Sequence, residues 1–283
     1  MSTIQALYET GRLDEAIVAA NEGLKSRPTD IALRSFLVEL LCFDGQIERA
    51  DKQLEAIARL EAKHIPGVKQ YRDLLRGEQA RRDVLYSGRA PELMLALDSC
   101  LEAHLMALVV LREGRPADAL TMLRVAEAQR PPIAGSCDGT RFEDLRDLDD
   151  VLAPVLEAIT ADGKFFWIPL SGVKSIEFEA PDRARDLVWR SARMELADGK
   201  RGHIYIPALY PTPAGADAAL RLGRATDWLE ENGGPVRGIG RKCWLVGEED
   251  MDIMALTRIE IDQPERPVEA DDEPEAPAVE DEP

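Results

Sequence analysis

Along the front half of the chain apolar residues recur every three or four positions, the spacing of a helix with one buried face. In IALRSFLVELLCFD they are Leu33, Leu37, Leu40 and Leu41, with Asp30 placed to cap the helix and Pro28 closing the unit before it. LEAHLMALVVLRE has the same character. After Gly114, Pro116 stands near a helix start, Ala119, Leu120 and Leu123 share a face, and Pro131-Pro132 stop the helix. The period then changes. KFFWIPL, SIEFEA, VWRSARMEL and GHIYIPAL alternate or are β-branched and aromatic, and Gly, Pro or Asp separates them, so one mainly antiparallel sheet is predicted. Asp198-Gly199 between ARMELA and GHIYIP marks the clearest hairpin. ATDWLEE, VRGIGRKCWLVGEE and IMALTRIEI read as further strands, AGADAALRLG as a short helix, and PDRARDL as a helical turn or two. Between the two regimes, FEDLRDLDDVLAPVLEAIT places Leu145, Leu148, Leu152, Val155, Leu156 and Ile159 on a helical stripe and is predicted as a helix.

Three front-half segments share the pattern G-x-x-x-x-A, from Gly11, Gly45 and Gly114. Gly45 follows Gly11 by 34 residues and Gly114 follows Gly45 by 69, about twice that period. A 34-residue period is that of the tetratricopeptide repeat, a helical hairpin. Glycine can leave the first helix in a left-handed conformation, and the small alanine lets the second helix approach closely. The unit between them is degenerate. Gly77 is off the expected place, and RGEQARRDVLYSGRAPELMLALDS, with many charges, reads as one or two poorly placed helices. RPPIAGSCDGT, rich in Pro and Gly, marks the join.

The expected fold is therefore α+β in two domains: a tetratricopeptide-like α-α superhelix over residues 1–135, then a mainly antiparallel α+β domain with an aromatic-rich sheet over 136–261. From about residue 262 the chain is dominated by Pro, Glu and Asp, and a disordered acidic tail is expected over 262–283. A length of 283 residues agrees with two domains.

The formal charge of −18 argues against nucleic acid and anionic membranes as partners. No apolar run approaches the ~20 residues that span a bilayer, and the opening residues lack a signal-peptide pattern, so a cytoplasmic location is expected. Cys42, Cys100, Cys137 and Cys243 are scattered, and His64, His104 and His203 lack the close spacing of helical metal sites; neither metal nor cofactor is expected. Asp144, Asp147, Asp149 and Asp150 read as a solvated acidic face in preference to a cation site. Gly238-Ile239-Gly240 is not a dinucleotide loop, since the third glycine position holds Cys243 and no helix follows. No Ser elbow, H-E-x-x-H or P-loop is present, so no catalytic residues are assigned.

Repeats of this kind hold peptides or helices of other proteins on a concave surface. Arg34, the single basic residue between Ile31 and Asp44, is too little to clamp an acidic C-terminus, so an apolar partner face is expected, met by Leu37 and Leu41. Aromatic residues are only 5% of the chain, yet Phe165, Phe166, Trp167, Phe178, Trp189, Tyr205 and Tyr210 fall within one stretch. They read first as a core. Trp167, Trp189, Tyr205 and Tyr210, with Arg185 from the polar cluster around Trp189 (Arg183, Arg185, Asp186, Arg190, Arg193), complete the partner-binding candidates, although that cluster reads first as an ion-paired sheet surface.

WIPLSGVKSIEFEAPDRARDLVWRSARMELADGKRGHIYIPALYP and GIGRKCWLVGEEDMDIMALTRIEI resemble the signature blocks of the ImpE/TagJ (SciE-type) family, accessory proteins of bacterial type VI secretion systems. LYETGRLDEAI and DGQIERADKQLEAI resemble that family's N-terminal part. The resemblance implies a non-enzymatic cytoplasmic adaptor that binds the N-terminal helix of the small contractile-sheath subunit, linking it indirectly to the sheath-disassembling ATPase. It carries nothing over to the acidic tail. The alternatives are an enzyme whose site assembles only in three dimensions and a general tetratricopeptide co-chaperone scaffold.

Overall fold

The structure is a computed structural model that describes residues 3–213 and 215–263. The expected tail therefore lies outside the described residues, except for Asp262 and Gln263. Helices α1 (Thr3–Glu9), α2 (Leu13–Ser26), α3 (Ile31–Phe43) and α4 (Ile47–Leu60) form two antiparallel hairpins. A single long helix, α5 (Ile65–Tyr86), and a third hairpin, α6 (Ser99–Arg112) with α7 (Pro116–Gln129), complete the helical part. Gly11, Gly45 and Gly114 turn the three hairpins with φ of +79°, +71° and +74°, and the Asp30 carboxylate caps α3 by accepting from Leu33 N at 2.9 Å.

The degenerate middle unit is thus one helix followed by an extended segment, and its charges are part of the interior. Asp73, Glu78 and Arg81 of α5 are all buried. Gly77 serves a close approach and not a turn, since a methyl group there would overlap Cγ2 of Ile159 on the sheet.

Strand β1 (Glu92–Leu93) leaves the helical part to pair in parallel with β6 (Phe165–Pro169). The other strands of the main sheet are antiparallel: β2 (Gly135–Cys137), β3 (Thr140–Phe142), β5 (Val155–Thr160), β7 (Val173–Phe178), β8 (Trp189–Leu196), β9 (Arg201–Pro207) and β15 (Arg258–Ile261). Their order is β1-β6-β5-β9-β8-β7-β15-β2-β3. Two small sheets flank it. One runs β10 (Leu209–Tyr210), β12 (Val236–Arg241), β11 (Thr226–Glu230), and the other β14 (Glu249–Asp252), β13 (Cys243–Val246), β4 (Leu145–Asp147). A short helix, α8 (Ala218–Arg221), precedes β11.

The helix expected over 142–160 does not form; β4, a turn and β5 occupy that stretch. Pro154 has no N–H to give a helix, and β5 is buried on both faces, so its apolar run carries no alternation to distinguish it from a helical stripe. Alternation elsewhere divides the core in two. Val155, Ile159, Trp167, Trp189 and Tyr205 face the helices, while Leu156, Ala158, Ile168, Ala192, Met194, Ile204 and Ile206 face Trp244, Leu256 and Ile259 on the other side. The first core joins helices and sheet across one layer.

Candidate functional site

The join between helices and sheet is built on charge. Glu157 stands mid-strand in β5 on the face toward α5, with only 1% of its surface exposed. Arg81 of α5 grips it with two parallel hydrogen bonds, Nε to Oε1 and Nη2 to Oε2, both 2.9 Å. Lys242, between β12 and β13, reaches the same carboxylate at 3.1 Å and Asp147 Oδ2 at 2.7 Å. Tyr210 OH donates to Asp147 Oδ1 at 2.6 Å. One turn on, Asp149 accepts from Arg237 Nε at 2.8 Å and from the backbone N–H groups of Val151 and Gly238. Toward the helices, Trp189 Nε1 donates to Glu78 Oε2 at 3.1 Å, and the edge of its ring meets Tyr71 at a centroid distance of 6.1 Å.

Burying charges costs several kcal/mol per ion unless each is paired and its remaining valences are satisfied. Here they are. Burial alone would raise the Glu157 carboxyl, but Arg81 and Lys242 outweigh it and hold the pKa down at about 2. Lys242 is held above its usual range, because Asp147 and Glu157 overcome the burial that would lower it. Burial raises Asp147, and neighbouring Asp149 adds to that against the pull of Lys242. The acidic face expected at Asp144, Asp147, Asp149 and Asp150 is therefore not solvated: Asp147 and Asp149 are fully buried, and Asp144 pairs with Arg130.

A second clasp holds the N-terminal hairpins to the sheet. Arg221 of α8 pairs with Asp14 of α2 at 2.6 Å and with Asp44 at the end of α3. Arg224 donates to the carbonyls of Tyr8 and Glu9 at 2.7 and 2.9 Å.

These joints fix what the sequence candidates do. Leu37, Leu41 and Trp167 are fully buried, Trp189 and Tyr210 are 1% exposed and Tyr205 4%, so these six fill the core of the free chain and offer a partner no surface. The reason is that α5 covers the sheet face that carries the aromatics. Tyr205 OH, for example, accepts from Gln70 Nε2 of α5 at 2.7 Å. Arg34 donates to Pro28 O at 2.6 Å and to Gln53 within its own hairpin. Arg185 lies 5.4 Å over the Tyr71 ring. The polar cluster around Trp189 does not converge on one surface: Arg190 is buried and donates to Ile253 O, whereas Arg193 is exposed and pairs with Glu179 at 3.5 Å. The residues that sequence reasoning missed are Arg81, Glu157, Lys242 and Arg237. For Glu157, Lys242 and Arg237 the signal is a charge set inside an apolar strand run, as in VLEAI and GRKCWLV; Arg81, among the many charges of α5, carries none.

On the sheet face that also carries Trp189 and Tyr205, Ser191 Oγ lies 2.7 Å from His203 Nε2 and donates to Glu179 Oε2 at 2.7 Å. A hydroxyl that donates to the carboxylate accepts from the imidazole when His203 carries its proton on Nε2, and that arrangement is the reverse of a base activating a nucleophile. No group of three or more His, Cys, Asp or Glu among the described residues is placed to hold a metal ion. No helix among the described residues is long and apolar enough to cross a membrane.

Three of the wider surface grooves among the described residues are bordered by helices. One, of about 490 Å³, lies at the seam of helices and sheet among Leu85, Leu108, Leu111, Pro213, Leu229 and Ile239. A wider one, of about 980 Å³, follows α4 and α5. The third, of about 430 Å³, lies between α6 and α7.

The fold thus defines a tetratricopeptide-like helical stack closed by an antiparallel sheet, with its aromatics and paired charges inside and inter-helical grooves outside. The family model of the ImpE protein matches residues 139–260. A Pseudomonas aeruginosa protein named type VI secretion system accessory component TagJ is 36% identical over 227 residues, 80% of each chain. The crystal structure of protein VPA1032 from Vibrio parahaemolyticus superposes with a TM-score of 0.86 at 28% identity, covering 93% of this chain and 98% of that one. The chain belongs to the ImpE/TagJ family.

Proposed function

We propose that the protein is a non-enzymatic, cytoplasmic accessory component of a type VI secretion system that binds the N-terminal helical segment of the small contractile-sheath subunit and assists sheath assembly or recycling. The observation that carries the reading is the 36% identity, over most of both chains, to a type VI accessory component. The physical case supports a helix as ligand. Ridges of side chains along paired helices leave grooves that accept another helix. The charged groups at the helix–sheet joint, Arg81, Asp147, Glu157 and Lys242, are engaged with one another, and the inter-helical grooves on the surface are lined largely by apolar side chains. Contact with one short helix belongs at the small end of interfaces, and an affinity on the order of micromolar is expected.

A pull-down with the purified full chain tests this. The chain retains the small sheath subunit and fails to retain a form lacking its N-terminal helix. Equal retention of both forms would refute the reading.

A further inference from the structure

Within the helical part, each of the first two hairpins is covered by the helix that follows it. Leu33 of α3 packs against Gly23 of α2, where an added methyl group would stand 2.9 Å from its Cδ2. On the next hairpin, Tyr71 and Arg72 of α5 reach Cys42 of α3 at 3.8 Å and Asp51 of α4 at 2.6 Å. The third hairpin has no such cover among the described residues, because the chain leaves α7 at Gln129 and enters the sheet at Gly135. Its outer groove is the one of about 430 Å³.

The lining suits a helix. Ser99 and Ala103 on α6, and Met122, Val125 and Gln129 on α7, follow the i, i+3, i+4 spacing of a single helical face. Cys100, Ala103 and Ala126 are small, which lets a helix axis approach to the usual ~8–10 Å. Large apolar side chains stand exposed on the same hairpin: Val125 is 54% and Met106 51% open to solvent.

The other two grooves fit a helix less well. The one along α4 and α5 is crossed by the ion pair of Arg72 with Asp51, which a partner would have to break. The seam groove is walled by Pro116, Pro211, Pro213 and Pro235 from separate segments and offers no pair of parallel ridges.

We propose that the α6–α7 groove is the seat of the partner helix, and that this helix carries an aliphatic stripe flanked by basic residues. The proposal rests on the adaptor reading above and gives it a location. The basic flank follows from charge. Asp98 and Glu102 stand at the N-terminal end of α6 with no ion-pair partner among the described residues, on a chain of formal charge −18. Opposite charge on the incoming helix steers and orients it there.

The test uses the full chain and a fluorescent peptide of the small sheath subunit's N-terminal segment, read by anisotropy. A Met106→Glu/Val125→Glu variant replaces only exposed side chains, so it keeps the wild-type melting temperature while its affinity falls by about tenfold or more. Ile65→Glu, on the α4–α5 groove, binds as wild type does. Bound peptide also slows alkylation of Cys100, which lines the proposed seat. Undiminished binding by the double variant, or loss of binding by Ile65→Glu, overturns the location while the adaptor reading stands. A wild-type chain that does not bind the peptide sinks the adaptor reading and this proposal with it.

Discussion

Replacing Glu157 by Gln probes the joint between helices and sheet at its centre. The substitution keeps the shape and removes the one carboxylate that Arg81 and Lys242 share. Both cations then remain buried, at 3% and 1% exposure, with only Glu78, 3.6 Å from Arg81, and Asp147 left to balance them. Breaking a buried pair from one side costs about 3–5 kcal/mol, a large part of the ~5–15 kcal/mol that holds a typical protein folded. Urea denaturation at neutral pH should show that loss, and the melting temperature should fall by about 6–20 °C.

Acid provides an independent readout. Glu157 titrates at about 2 in the fold and near 4.3 in an unfolded chain. A depressed folded pKa gives stability that is present above the unfolded value and is lost as pH falls through the folded one. About 3 kcal/mol should therefore disappear between about pH 4.5 and pH 2, and the gap between wild type and variant should narrow over that window. A variant within about 1 kcal/mol of wild type, or a gap constant down to about pH 2, would refute the account of the joint.

Gly77→Ala should destabilise by about 1–3 kcal/mol in chemical denaturation, with Ile159→Ala restoring part of it. At an exposed helix position the same change stabilises by roughly 1 kcal/mol, so the sign alone decides whether the helix–sheet approach matters. Arg221→Ala should speed hydrogen exchange in α1 and α2 while leaving the main sheet unchanged; uniform acceleration would contradict a local clasp. The Cys42 thiol, pushed up to about 12 by burial, should resist alkylation in the native chain while Cys100 reacts. Labelling of Cys42 faster than global unfolding would show that α3 and α5 do not seal it.

Local rules were readable in the sequence wherever the cause is local. A left-handed glycine followed by a packing alanine announces the hairpins at Gly11, Gly45 and Gly114, and period-two aromatics announce β6, β8 and β9. The stretch 142–160 misled because a strand buried on both faces and a helical stripe present the same apolar residues. The buried charges were hard to read for a different reason: a lone charge in an apolar run marks a position without naming its partner. Asp147 and Lys242 look like solvated polar positions until the partners that neutralise them, 95 residues apart in sequence, meet in space. The aromatic candidates were suited to both core and contact surface, and the cover supplied by α5 decided for core. Exposed Met106 and Val125 carried no mark in the sequence, since a helix shows its apolar face without showing whether a neighbour covers it.

The proposed docking surface takes one helix. Calorimetric titration of the full chain with the isolated N-terminal segment of the small sheath subunit tests it most directly. Saturable one-to-one binding is expected, with Kd on the order of micromolar and a negative heat-capacity change from apolar burial. Absence of saturable binding up to about millimolar segment would contradict it.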